Sequence, residues 1–455
     1  MMQEVISGVE LSPSQKRVWN LQKLGFPLYN QLEATLSTAQ VADAEQLLAA
    51  IESLALQHEI LKTQFSQVSG SLYPLQASGA DLCGSISYHE DGNQTVEVVA
   101  DAIATIADPG NTENWKVILV QEVDVYKLHL IASPIISDKY SLIRFLDDLQ
   151  QLQFGHDTAA EMEEILPFTQ YSEWHNSILA EAIENDETEP FYSELQDALA
   201  GNTLSFEKSA QMDPTHFQYS TQSRVVTGQF LQKLNDYVAS RADLGVSGFL
   251  FSCWQVMLWY YLDQPERMMA AVNLNGRSYE AFHEIFGLLG QTNAFELEVN
   301  GDTGFEEYSA QLTQLLEEQI DRQELFHRDE DTQEASNPGA ILPYQFDVTE
   351  GADANQFTDV VVQDYSEPFK LKMSFEEGAD AIKLNLDYAH AFIDPEGVDE
   401  ILRKYVELLD FAMSNPDTAL TDLFYPTDIA IDRPPVAVPD HPTKDIVSLF
   451  EAQVA

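Results

Sequence analysis

Residues 126–132, Tyr126-Lys127-Leu128-His129-Leu130-Ile131-Ala132, show the period-two pattern of a half-buried strand. Further on, Leu142, Phe145, Leu146, Leu149 and Leu152 recur at spacings of three and four, which puts them on one stripe of a helix. Between them lies Ser133-Pro134-Ile135-Ile136-Ser137-Asp138-Lys139-Tyr140-Ser141. This is a strand-to-helix loop, a place where functional residues are often held by a rigid scaffold.

The same patterning predicts elements along the rest of the chain. An amphipathic helix is expected over 41–65, with Leu47, Leu48, Ile51, Leu54, Ala55 and Leu61 on one side. Short strands are expected at 84–88, 115–120 and 126–132. Residues 72–75 form at best an edge strand, because Pro74 cannot donate to a ladder. Residues 155–164 read as an acidic loop, and 181–189 as part of a solvated helix or a linker between lobes. The run 246–262 is a strongly apolar core helix, and 269–277 a strand leading into a turn. Strands follow at 341–347, 371–375 and 382–388. A last helix starts at Asp394-Pro395, with Pro in its first turn. The tail 425–444 is rich in Pro and Asp and reads as an extended linker.

A chain of 455 residues exceeds one ordinary core, so two domains or lobes are expected. No run of 18 apolar residues exists, so no segment is expected to span a membrane. The N-terminus lacks a basic region followed by an apolar one, which argues for a cytoplasmic protein. Cys83 and Cys253 sit in apolar surroundings and read as buried free thiols. The formal net charge is −52. This is either a solvated acidic surface or complementarity to a basic partner. It excludes nucleic acid as a partner, since a phosphate backbone would be repelled and no basic stripe interrupts the acid. No metal-ligand spacing, phosphate-cradling glycine loop or Ser-His-Asp order is present, so no metal or cofactor is expected.

Several short motifs carry a family resemblance. Leu11-Ser12-Pro13-Ser14-Gln15-Lys16-Arg17-Val18-Trp19 reads locally as a capped helix, with Ser12 as cap and Gln15 in the capping-box position. It also resembles the Leu-Ser-x-x-Gln-x-Arg-x-Trp motif of the condensation domains of nonribosomal peptide synthetases. Gln57-His58-Glu59-Ile60-Leu61-Lys62-Thr63-Gln64-Phe65 resembles that family's Arg-His-Glu-x-Leu-Arg-Thr-x-Phe, with both arginines replaced. His58 beside Glu59 could suggest acid–base chemistry, but in the family this segment packs. Phe286-Gly287-Leu288-Leu289-Gly290-Gln291-Thr292-Asn293 resembles a Gly-x-Phe-x-Asn-Thr segment that carries a crossover between lobes. Tyr171-Ser172-Glu173-Trp174 is similar to a further helix motif, and Ile446-Val447-Ser448-Leu449-Phe450 to the opening helix of an adenylation domain.

The resemblance implies an α+β fold, an α/β sandwich of two chloramphenicol-acetyltransferase-like lobes arranged as a V-shaped pseudo-dimer. It implies a first lobe at 1–178, a second at 179–424, and a linker with the start of an adenylation domain at 425–455. The family's His-His-x-x-x-Asp-Gly signature falls on the central loop. Ser133 and Pro134 take the two His positions, Asp138 keeps the Asp, and Lys139 replaces the Gly. The second His orients or deprotonates the attacking amine in a tunnel between the lobes. Pro134 has no ionisable group and no N–H donor. Losing a general base typically costs about 10²–10⁴-fold. Ser133 has no adjacent base to activate it. Lys139 is expected to intrude on the tunnel or reach into it. The family's motif Asp pairs with an Arg after a Gly-Arg strand end, which places a structural pair at Asp138 and Arg277.

The expected set of catalytic residues is therefore empty, and the chain reads as an inactive module. Relatives lacking the His pair fall into two groups. One recruits haem monooxygenases in glycopeptide synthetases. The other, the interface domain of siderophore synthetases, recruits a trans-acting non-haem iron hydroxylase that β-hydroxylates a carrier-bound amino acid. The adenylation-like tail favours the second group. Expected partners are that hydroxylase or another oxygenase, and the adjacent adenylation and carrier domains. Two other readings stay open: peptide-bond formation by positioning alone, and a structural spacer.

Overall fold

A computed structural model describes residues 8–423, apart from 41–42, 69–70, 91, 93–94, 109–111, 155–164, 186, 192–202, 211–212, 242–243, 329–340 and 349–355. The expected acidic loop at 155–164 and the linker and adenylation start at 425–455 lie outside these residues.

The first lobe is built on a five-stranded sheet. In chain order the opening strands are β1 (Val9–Glu10), β2 (Asn30–Ser37), β3 (Thr63–Ser66), β4 (Leu75–Ser78), β5 (Gly84–His89), β6 (Trp115–Gln121) and β7 (Val125–Ala132). The helices among them are α1 (Pro13–Lys23), α2 (Ala44–Gln57), α3 (Thr95–Ile106), α4 (Lys139–Phe154) and α5 (Phe168–Glu184). Strands β2, β7, β6 and β5 lie side by side, and β1, β4 and β3 form a small separate sheet. The α1 N-terminus carries the expected capping box: Ser12 N–H donates to Gln15 Oε1 (2.9 Å) and Gln15 N–H to Ser12 Oγ (3.3 Å).

The second lobe continues with β8 (Glu189–Phe191), β9 (Tyr219–Thr227), α6 (Gly228–Ala239), α7 (Val246–Tyr261), β10 (Arg267–Leu274), β11 (Gln291–Glu298) and α8 (Phe305–Asp321). It ends with β12 (Phe326–Arg328), β13 (Tyr344–Asp347), β14 (Thr358–Asp364), β15 (Leu371–Glu377), β16 (Ala381–Ala389) and α9 (Pro395–Ser414). Its six-stranded sheet runs β11-β10-β13-β15-β16-β9. One face carries Val272, Phe346, Met373, Leu384 and Leu386, all buried in the apolar core with α7. α7 is buried on nearly all sides, as its continuous apolar sequence requires.

The opposite face carries a row of buried and half-buried polar residues. Thr292, Asn273 and Asp347 stand in one row across β11, β10 and β13. Gln345, Lys372, Asp387 and Thr221 continue it across β13, β15, β16 and β9. Asp387 accepts from Thr221 Oγ1, and burial pushes its carboxyl above the usual range, against the nearby Lys372.

Three expectations change. The helix over 41–65 ends at Gln57, because His58 leaves helical geometry (φ −86°, ψ 117°) and Thr63–Ser66 pairs with β4. Strand β4 starts after Pro74 and lies between β1 and β3, so it is not an edge. The segment after Phe286 does not cross between lobes, since Gln291–Glu298 stays in the second sheet beside β10. The strand that crosses is β14, which leaves the second lobe and pairs with β2 on the edge of the first sheet.

Cys83 and Cys253 are buried free thiols, and burial raises both above the usual thiol range. Among the described residues no helix is long and apolar enough to cross a membrane. The turn after β10 depends on Gly276, whose φ is +68° and whose missing Cβ would lie 2.1 Å from the Leu289 carbonyl oxygen. Gly276→Ala is therefore expected to destabilise the protein by more than about 2 kcal/mol. Urea unfolding checks this, and an alanine variant as stable as the parent would refute the close approach.

Candidate functional site

The central loop is fixed by backbone and side-chain bonds before any partner is considered. Ser133 N–H donates to the Asn114 carbonyl (2.7 Å), and Ile136 N–H to that of Ser133 (3.0 Å). Gln15, which already caps α1, reaches the Ile135 carbonyl through Nε2 (2.9 Å). Asn30 Nδ2 donates to the Ser137 carbonyl (2.9 Å). The capped helix and β2 thus hold one face of the loop.

Asp138 ends the loop and begins α4. Its Oδ1 accepts from the N–H (2.8 Å) and hydroxyl (2.7 Å) of Ser141. Its Oδ2 accepts from the backbone N–H of Leu289 (3.0 Å) and Gly290 (2.9 Å) in the second lobe. Arg277 completes the shell, with Nη1 on Oδ2 (2.8 Å) and Nη2 on Oδ1 (3.2 Å). The guanidinium also donates to the carbonyls of Asn275 (2.7 Å) and Ile285 (3.0 Å), and lies 4.4 Å from the Tyr140 ring centre. Asp138 and Arg277 are each 3% exposed. The two residues singled out as a pair do meet, in bidentate geometry across the lobes.

Ser133 and Pro134 are buried at the start of the loop, and neither is among the residues lining the cavity between the lobes. Ser133 Oγ accepts from Gln22 Nε2 (3.3 Å). Lys139 behaves differently. Its backbone N–H donates to Asp364 Oδ2 (3.3 Å), and its ammonium reaches Asp347 Oδ2 (2.9 Å).

The cavity measures about 310 Å³. α1, α5, the start of α4, β10, the 288–292 segment and the ends of β13 and β14 contribute to it. Its charged lining residues include Arg17, Asp138, Lys139, Asp347, Asp364 and Glu367. Arg17 holds Glu367 bidentately (3.0 and 3.1 Å). Asp364 accepts from the Ser366 N–H (2.9 Å) and is half-buried. No histidine is among its lining residues. Among the described residues no group of three or more His, Cys, Asp or Glu is placed to hold a metal ion.

Two histidines are packed elsewhere. His58 lies against Phe286 and Phe145, and burial, with Arg144 and Lys62 nearby, pushes its pKa down to about 4. Glu59 accepts from the Thr169 N–H (3.1 Å) and hydroxyl, away from that imidazole. His175 contacts the Tyr171 hydroxyl and the Glu324 carbonyl, and burial lowers it to about 4 as well. Both are neutral packing residues at neutral pH. Sequence reasoning missed Asp347, Asp364 and the Arg17–Glu367 pair. Only the strand ends and the crossing of β14 bring them to the cavity.

Residues 5–430 match the family model described as "Condensation domain", and the chain belongs to that family. It is 23% identical over 430 residues to surfactin synthase subunit 2 of Bacillus subtilis (strain 168), covering 91% of this chain and 12% of that protein. The chain thus spans about an eighth of that relative's length. Its fold is similar to the condensation domain of the Monacolin K polyketide synthase MokA (TM-score 0.75, 12% identity, 92% of this chain and 100% of that one). It is also similar to the X-domain solved with OxyB from teicoplanin biosynthesis (TM-score 0.68, 17% identity, 94% and 97%).

The charge pair gives a stability prediction. Removing one partner leaves a buried charge unpaired, so Arg277→Met should cost roughly 3–5 kcal/mol. Arg277→Met with Asp138→Asn should cost less than the sum of the single changes. Denaturant unfolding of the four proteins decides it, and a single variant within about 1 kcal/mol of the parent would contradict the buried pair.

His58 gives a pH prediction. Its folded pKa of about 4 lies below its ordinary 6.5, so unfolding takes up a proton between those values. Its stabilisation is complete above pH 6.5 and falls as the pH drops toward 4. The stability of the parent relative to His58→Leu should therefore decline by about 1.4 kcal/mol per pH unit below 6.5. A difference that stays constant from pH 7.5 to 5 would refute the neutral buried imidazole.

Proposed function

We propose that this domain is a non-catalytic condensation-like module of a cytoplasmic nonribosomal peptide synthetase. It docks a trans-acting tailoring enzyme, a non-haem iron β-hydroxylase, beside an aminoacyl group held on a neighbouring carrier domain. Tethering raises the enzyme's effective concentration at that substrate without adding catalytic groups. One observation carries the reading. The two His positions of the family signature hold Ser133 and Pro134, both buried away from the cavity, and no imidazole replaces them there. The rest of the frame is kept: the Gln15-held loop, Asp138 and its Arg277 partner. A solved X-domain of the same fold, in complex with OxyB, supports the docking role. The charge of −52 suits a partner that presents a basic face.

Calorimetric titration with the hydroxylase of the same biosynthetic system tests the reading. Saturable binding that weakens as salt rises is expected. No measurable binding at any salt concentration would remove it.

One observation favours the alternative, peptide-bond formation by positioning alone. A cavity is retained between the lobes, and the Asp364 carboxylate is among its lining residues. That reading predicts dipeptide formation from aminoacyl-loaded donor and acceptor carriers, lost in Asp364→Asn. The docking reading predicts no product above the rate without the domain.

A further inference from the structure

The geometry points to Lys139 as an internal plug, an autoinhibitory strut that runs along the cavity wall from the first lobe to Asp347 of the second. The backbone of Lys139 is fixed at the first turn of α4, directly after the Asp138 network. Its ammonium is 2.9 Å from Asp347 Oδ2, and the two side chains are 9% and 5% exposed. Asp347 is held in turn at the end of β13, in register with Asn273 of β10. Both ends of the strut are thus anchored in secondary structure, and both residues line the same cavity.

The electrostatics favour the crossing. The Asp347 carboxylate accepts from the Lys139 ammonium and the Asp364 carboxylate from its backbone N–H, while the buried Asp387 feels first Lys372 and then Lys139. Withdrawing the ammonium would leave acidic groups together in a poorly solvated place, which is costly. Small-molecule sites commonly span about 300–1,000 Å³, so a cavity of about 310 Å³ is at the small end. That volume is what stays open with the lysine side chain in the wall, and a glycine there would leave more room. The strut would narrow the cavity even if a base were supplied, so it goes beyond the loss of the histidine. It is also independent of any docking partner.

The test uses paired substitutions, so that no carboxylate is stranded. Lys139→Gly with Asp347→Asn removes both bulk and charge. Lys139→Met with Asp347→Asn removes the charge and keeps most of the length. Pantetheine, a slender diamide, is the probe, and its binding is measured by calorimetry at millimolar concentration. The Gly/Asn protein is expected to bind at least tenfold more tightly than the parent, and the Met/Asn protein no more tightly than the parent. Equal affinity of the parent and the Gly/Asn protein, or equal gains in both variants, would overturn the plug. A measurement on the unaltered chain stands beside it, should the variants fold poorly. Acetylation by acetic anhydride should modify Lys139 at least tenfold more slowly than the exposed Lys23. Equal rates would overturn the strut.

Discussion

The junction of the two lobes is organised around one buried carboxylate. Asp138 accepts from two groups of its own helix start, two backbone N–H groups of the second lobe and both arms of Arg277. A carboxylate removed from water needs such a shell, because its desolvation cost is otherwise unmet. Satisfying it also fixes the geometry. The first turn of α4, the 287–290 segment and the end of β10 cannot move independently without breaking several charge-assisted bonds. The central loop is therefore a fixed part of the interface between lobes.

Other features extend that constraint outward. Strand β14 carries the chain of the second lobe onto the sheet of the first. The polar face of the six-stranded sheet turns buried amides, hydroxyls and charges toward the junction, where an apolar face would have sealed it. Lys139–Asp347 and Arg17–Glu367 join elements on the cavity wall. What remains between the lobes is a small space with apolar and charged residues on its wall and no imidazole among its lining residues. Such a space retains the architecture of a condensation domain. In the proposed reading, the surface and not the interior then carries the function.

Local features were legible in the chain. Ser12 and Gln15 announce a capping box because both bonds close within one turn. The unbroken apolar run of α7 can only be a core helix, and the spacing after Ser141 gives the face of α4. The Asp138–Arg277 pair was reached through resemblance, since nothing local links residues so far apart. The elements that escaped are those set by distant pairing. Thr358–Asp364 has an exposed, mixed pattern because it lies at a sheet edge, and its partner β2 comes from the start of the chain. The polar row on the second sheet hides for a related reason. Asn273, Asp347, Lys372 and Asp387 look like surface residues singly, and only strand register brings them together. The apolar period of α2 runs on through Ile60 and Leu61 into a 3₁₀ turn, so the pattern does not show that the helix ends at Gln57.

In the proposed reading, the domain brings another enzyme to an aminoacyl group on a neighbouring carrier. The most direct measurement is the rate of hydroxylation of the carrier-tethered amino acid, with this domain in cis and with it deleted. The account predicts a fall of at least tenfold on deletion when the hydroxylase is dilute, with the rate recovering when the hydroxylase is supplied in excess. An unchanged rate at low enzyme concentration would contradict it.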